Sequence, residues 1–125
     1  AVHIIDYEYA AYNYRAFDIA NHFSEYCGFE YDLDRCFPSE QKMRFFLKCY
    51  LKQQRRQQQQ QQESRHLNED DEDFVDGFMD AVRWTLLASH LFWGSWALVQ
   101  AACSSIDFDY TGYAQRRFAA FYLHK

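Results

Sequence analysis

Asp6 and Glu8 stand two positions apart at the end of an apolar run that begins at Val2, within Ile4-Ile5-Asp6-Tyr7-Glu8-Tyr9. In an extended strand, alternate side chains share a face, so the two carboxylates would project together. Such a pair can gather a hard cation such as Mg2+, which takes oxygen ligands and shares them with phosphate. The same pattern also fits a strand end whose acids face water. A second group lies on Trp93 and Trp96, three residues apart with Gly94 between them. Two indoles at that spacing share one helix face. They are either core or two walls of an aromatic box, whose ring faces attract a cation. A third group, Asp18, Asn21 and Glu25, is spaced at three and four residues, close enough on a helix to act together or to form a solvated face.

The elements that position these groups are mostly helical. Phe17, Ala20, Phe23 and Cys27 recur at helical steps and predict a helix from Ala16 to Cys27, stopped by Gly28. Residues 28–37 read as an irregular connection. Pro38 and Ser39 mark the start of a second helix, with an apolar stripe of Met43, Phe46, Leu47, Tyr50 and Leu51. Residues 53–73 form a glutamine-rich and then acidic segment, read as a flexible surface insertion whose glutamines continue the preceding helix for a turn or two. A long helix is predicted over 71–103, with Phe74, Phe78, Val82, Leu86, Phe92, Trp93, Trp96 and Val99 near the 3.6 period. Residues 84–106 carry no Asp, Glu, Lys or Arg. Ser89, His90, Ser95 and Gln100 interrupt that run, and no basic flank follows it, which favours a buried helix over a membrane span. A last helix is predicted over 110–123, with Tyr113, Phe118 and Phe121 facing inward.

Composition narrows the function. The chain has 125 residues, enough for one modest domain, and begins on Ala1 with an apolar run already under way, so a fragment of a longer protein is expected. The net charge of −5 argues against a nucleic-acid groove, which needs a basic surface. Aromatic residues make up 20% of the chain, sufficient both to fill a core and to line a pocket. Cys27, Cys36, Cys49 and Cys103 have neither C-x-x-C nor zinc-finger spacing and read as reduced thiols of a cytoplasmic protein.

Two blocks resemble the choline/ethanolamine kinase family. The first is Ile5-Asp6-Tyr7-Glu8-Tyr9 with the run from Tyr12-Asn13-Tyr14-Arg15 through Asn21-His22-Phe23-Ser24-Glu25-Tyr26. The second is Leu87-Ala88-Ser89-His90-Leu91-Phe92-Trp93-Gly94-Ser95-Trp96, with Ile106-Asp107-Phe108-Asp109-Tyr110 and Tyr113-Ala114. The resemblance implies an α+β fold, mostly α in this piece: the C-terminal part of the helical lobe of a protein-kinase-like fold, with a short N-terminal β-strand. It implies use of ATP and Mg2+, with Asp6 holding the metal against the phosphates and Glu8 beside the metal or the amine. It implies an amino-alcohol pocket built from Trp93, Trp96 and Tyr113, with Tyr9 at its edge and Glu25 supplying negative charge. Asp18, Asn21 and His22 are expected to fix the first helix against the active-site strand.

The family's glycine-rich loop, ATP-binding lysine and catalytic H-x-D-x-x-x-x-N loop have no counterpart here. His3 precedes Asp6 by three positions rather than two. The catalytic aspartate is therefore expected upstream, and this piece alone is expected to be inactive. Glu25-Tyr26-Cys27-Gly28 leans towards the ethanolamine kinases, which catalyse the first step of phosphatidylethanolamine synthesis. A choline kinase, or a truncated non-catalytic amine-binding module, is the alternative. The resemblance also suggests a homodimer.

Overall fold

The structure is a computed structural model that describes residues 3, 5, 7–59 and 72–125. The described residues form five helices: α1 (Arg15–Glu25), α2 (Leu33–Cys36), α3 (Glu40–Gln59), α4 (Glu72–Cys103) and α5 (Tyr110–His124). Helix α1 buries Ala16, Ile19, Ala20 and Phe23, the i, i+3, i+4, i+7 set of one face. Beyond its end, Gly28 adopts a φ of 55°, a left-handed conformation that costs glycine nothing and turns the chain. The short α2 falls within the connection expected to be irregular. Asp32 caps it by accepting the Arg35 backbone N–H at 3.1 Å.

Helices α3 and α4 run antiparallel, because Glu40 meets Arg83 at 3.3 Å and Lys48 meets Glu72 at 2.5 Å, with Arg44 bonded to Asp76 between them. These ion pairs are solvent-exposed, so they set register more than they stabilise. Beneath them Leu47, Met79, Val82 and Leu86 pack with the buried face of α1 into one core cluster. Leu47 and Met79 are wholly buried, and each contributes about 2–3 kcal/mol of transfer free energy.

Helix α4 has 32 residues and is about 48 Å long. Its second half forms an antiparallel hairpin with α5, in which Ser104 meets Tyr110, Gly94 meets Phe118 and His90 meets His124. A Cβ on Gly94 would lie 2.6 Å from Phe118 Cε1, so the two helices touch where glycine leaves room. Cys27, Tyr31, Ala97, Tyr113, Ala114 and Ala120 make the second core cluster. No helix among the described residues is long and apolar enough to cross a membrane.

The expected N-terminal strand is not found among the described residues. Residues 3, 5 and 7 are irregular, and Glu8 and Tyr9 form a turn in which Ala10 N–H donates to Tyr7 O at 3.0 Å. A strand needs a neighbour to satisfy its backbone N–H and C=O groups, and among the described residues no second strand offers one. What is described is therefore helical rather than α+β.

Candidate functional site

Five of the residues expected to bind substrate meet at one cavity of about 590 Å³: Tyr9, Glu25, Trp93, Trp96 and Tyr113. They come from four places in the chain. Trp93 and Trp96 lie one helical turn apart on α4, with ring centroids 5.5 Å apart and planes at 76°. Tyr9 enters from the N-terminal turn, 5.6 Å from Trp93 and 6.3 Å from Trp96, edge-on to both. Its hydroxyl accepts the Trp96 indole N–H at 2.8 Å. Three rings thus enclose one corner of the cavity. Tyr113 on α5 closes the far side, and burial holds its phenol above the usual tyrosine range, so it stays a neutral O–H.

The turn between α4 and α5 completes the lining, with Ile106, Asp107, Phe108 and Tyr110 at the start of α5. Asp109 caps α5 by accepting the Gly112 N–H at 2.8 Å. A Cβ at Gly112 would lie 1.9 Å from Asp109 Oδ2, so any other residue there would push the capping carboxylate aside. The cap fixes the direction of the turn, and the turn presents Asp107 and Phe108. Phe29, just past Gly28, stands 5.1 Å from Phe108 and 6.2 Å from Tyr113. Phe29, Asp107, Phe108 and Tyr110 received no site role from the sequence. The acid and aromatics of 107–110, next to a two-tryptophan helix, were the available signal.

The charged groups of the lining are Glu25 and Asp107, and the lining contains no Lys or Arg. Aromatic faces with two carboxylates suit an organic cation, by quadrupole attraction and by charge. A second cavity of about 570 Å³, lined by Tyr26, Gln41, Lys42, Phe45, Phe46 and Cys49, has a cation and no carboxylate, the opposite preference.

Asn21 and His22 fix α1, though to other helices rather than to a strand. The Asn21 Oδ1 accepts from Trp93 Nε1 at 3.0 Å and from Ser89 Oγ at 2.5 Å, both on α4. His22 stacks on Phe46 of α3 at 4.7 Å. Asp18 is exposed. Asp6 lies outside the described residues. Glu8 is exposed in the turn and does not line the cavity. Among the described residues no group of three or more His, Cys, Asp or Glu could hold a metal ion. All four cysteines are free, and burial raises the Cys27 thiol to about 11.

The chain is similar to known proteins over almost its whole length. A family model for choline/ethanolamine kinase matches residues 1–122. An ethanolamine kinase of Drosophila melanogaster is 42% identical over 125 residues, covering 99% of this chain and 22% of that protein. A probable choline kinase of Arabidopsis thaliana is 37% identical over 134 residues, covering 100% of this chain and 34% of its own length. Among solved structures, an ethanolamine kinase of Plasmodium vivax superposes with a TM-score of 0.74 at 34% identity, covering 94% of this chain and 27% of that one. The chain thus spans between about a fifth and a third of these relatives. A helical piece of a kinase-like fold that is matched almost end to end belongs to the choline/ethanolamine kinase family.

Proposed function

We propose that this chain carries the amine-alcohol pocket of an ATP-dependent ethanolamine kinase. The observation that carries the reading is the convergence of Tyr9, Trp93, Trp96, Tyr113 and Glu25 on one aromatic, acidic cavity. The tryptophan and tyrosine faces hold the charged head of the substrate, and Glu25 offsets its charge. A primary ammonium has N–H donors that a quaternary one lacks, so carboxylates in the lining favour ethanolamine over choline. Of the two acceptors expected from the sequence, Glu8 and Glu25, only Glu25 lines the cavity, and Asp107 stands beside it as a second. The product is phosphoethanolamine.

The phosphate end of the reaction belongs to the N-terminal segment and to parts of the whole protein beyond this chain. Asp6 and Glu8 are hard oxygen donors, the kind Mg2+ accepts, and Mg2+ is commonly held by one or two carboxylates together with substrate phosphates and water. A cluster of three protein ligands is therefore not required, and the donor chemistry fits. When bound, Mg2+ would neutralise phosphate charge during phosphoryl transfer. In the whole protein we expect the segment about Asp6 to pair as a short strand, presenting Asp6 towards the ATP. The group that takes the alcohol proton lies outside this chain in this reading. The chain's share of its relatives' length supports that division, as does the want of an H-x-D-x-x-x-x-N pattern here. Four free thiols favour a reducing compartment, the cytoplasm. A homodimer is part of the same proposal, and the native mass of the whole protein tests it.

The test is a phosphotransfer assay of the whole protein with ethanolamine and choline side by side. The reading expects a higher kcat/KM for ethanolamine. Preference for choline would reassign the substrate, and no transfer to either would refute the kinase reading in favour of a non-catalytic amine-binding module.

A further inference from the structure

Behind the aromatic cavity lies a cation that does not line it. Arg117, on α5, is only 1% exposed, and among the described residues no carboxylate forms an ion pair with it. A guanidinium taken out of water without a counter-charge is costly unless other groups accept its protons. Among the described residues the Arg117 Nε has no hydrogen-bond partner, and the two hydroxyls that accept from the guanidinium, those of Ser89 and Tyr113, both lead to the cavity wall. Its Nη2 donates to Ser89 Oγ at 2.8 Å, and that hydroxyl donates to Asn21 Oδ1 at 2.5 Å. The same oxygen accepts the Trp93 indole N–H at 3.0 Å. Both lone pairs of the Asn21 carbonyl are then used, so its amide cannot flip without setting donor against donor. Arg117 Nη1 also lies 3.4 Å from the Tyr113 hydroxyl, a long and weak bond, and the guanidinium sits 4.6 Å from the centre of the Tyr31 ring. Tyr31 is held in the left-handed region, at a φ of 55°, a strained conformation for a non-glycine residue. That backbone places its ring over the cation.

We propose that Arg117 is the positioning residue of the amine pocket: it orients the Trp93 indole through Ser89 and Asn21 and the Tyr113 phenol directly. One buried cation thereby ties together α1, α4 and α5 where their side chains form the walls. A cationic ligand held by ring faces depends on the angle and separation of those rings, so loosening the relay weakens amine binding and leaves the phosphate end untouched. The inference rests on the amine-alcohol reading of the cavity.

The experiment uses the whole protein with Ser89→Ala, Asn21→Ala and Asn21→Asp, each also in a Trp93→Phe background, which lacks the indole N–H. Loss of one relay bond is expected to raise KM for ethanolamine up to about tenfold. KM for ATP stays the same, and Asn21→Asp, which keeps the acceptor oxygens, returns the amine KM towards the wild-type value. In the Trp93→Phe background Ser89→Ala has no further effect. Equal rises in both Michaelis constants, additivity with Trp93→Phe, or an Asn21→Asp variant as weak as Asn21→Ala would overturn the proposal. Asn21 is only half-buried, so its variants decide the matter if Ser89→Ala fails to fold. Near-ultraviolet circular dichroism separates this proposal from the function on which it rests. If the unaltered protein phosphorylates neither amine alcohol, the function fails, while the relay still requires Ser89→Ala to change the tryptophan bands only when Trp93 is present.

Discussion

Lowering the pH from 7.5 to 5 should destabilise the α4–α5 hairpin through His90. That ring has no exposed surface. Its Nε2 lies 2.9 Å from His124 Nδ1, and its Nδ1 lies 3.3 Å from the Tyr31 hydroxyl. The groups facing it, Arg117 and His124, are cationic or become so in acid, and none is acidic. Burial first, and Arg117 and His124 next, hold its pKa down at about 3, against 6.5 for a free histidine. Because the folded value is depressed, the unfolded chain binds more protons between pH 6.5 and 3. The stability contributed by neutral His90 is fully present above 6.5 and is lost as pH falls through that window. At pH 5, some 1.5 units below the unfolded value, the loss is about 2 kcal/mol. His124, also depressed by burial, acts in the same direction. Urea unfolding at pH 7.5, 6 and 5 would measure it, with His90→Gln as the comparison, since carboxylates elsewhere titrate equally in both. The wild type should lose about 2 kcal/mol more than the variant by pH 5. Parallel pH dependences would refute the argument that a neutral, buried His90 joins the two helices.

Other substitutions test the packing and the cap. Gly94→Ala sets a Cβ against the Phe118 ring and should cost about 1–3 kcal/mol in urea unfolding, whereas exposed Gly77→Ala on the same helix should stabilise by about 0.5–1 kcal/mol. Gly112→Ala displaces the Asp109 carboxylate from its bond to residue 112 and should cost about 1 kcal/mol, with the aromatic cavity loosened as the turn before α5 shifts. Alkylation at pH 7.5, followed by mass spectrometry, should label Cys36, Cys49 and Cys103 well before Cys27, whose thiol is buried and raised to about 11.

Much of the helical framework was legible because its apolar residues keep the 3.6 period. The first half of α4 shows this for Val82 and Leu86, buried as their spacing implies, although Phe74 at its start is 41% exposed. The second half reverses the usual signal. Phe92 and Val99, placed on the expected inner face, are 48% and 58% exposed, while Ser89, His90, Gly94 and Ala97 face inward. Hydrophobicity does not reveal that face, because a buried Arg117 makes polar residues the fitting partners and a close helix crossing makes small ones fit. α2 was missed for want of length, since four residues show no period. The N-terminal strand is a different case, since much of it lies outside the described residues, and alternation describes a strand's faces but says nothing about whether a neighbour is present to pair with it. The two tryptophans, Tyr9, Glu25 and Tyr113, which line one cavity, were named by resemblance, and helical spacing independently placed Trp93 and Trp96 on one face. Asp107 and Phe29 lie in turns, where no period links a residue to the cavity that it lines. Asn21 was seen as a residue that holds α1, but its partners on α4 lie 68 and 72 positions away and only the fold brings them together.

The most direct measurement of the central claim is a crystal structure of the whole protein with ethanolamine bound. The account predicts the ammonium group within about 6 Å of the Trp93 and Trp96 ring centres, with Glu25 as the facing carboxylate. Ethanolamine bound away from both indoles would contradict it.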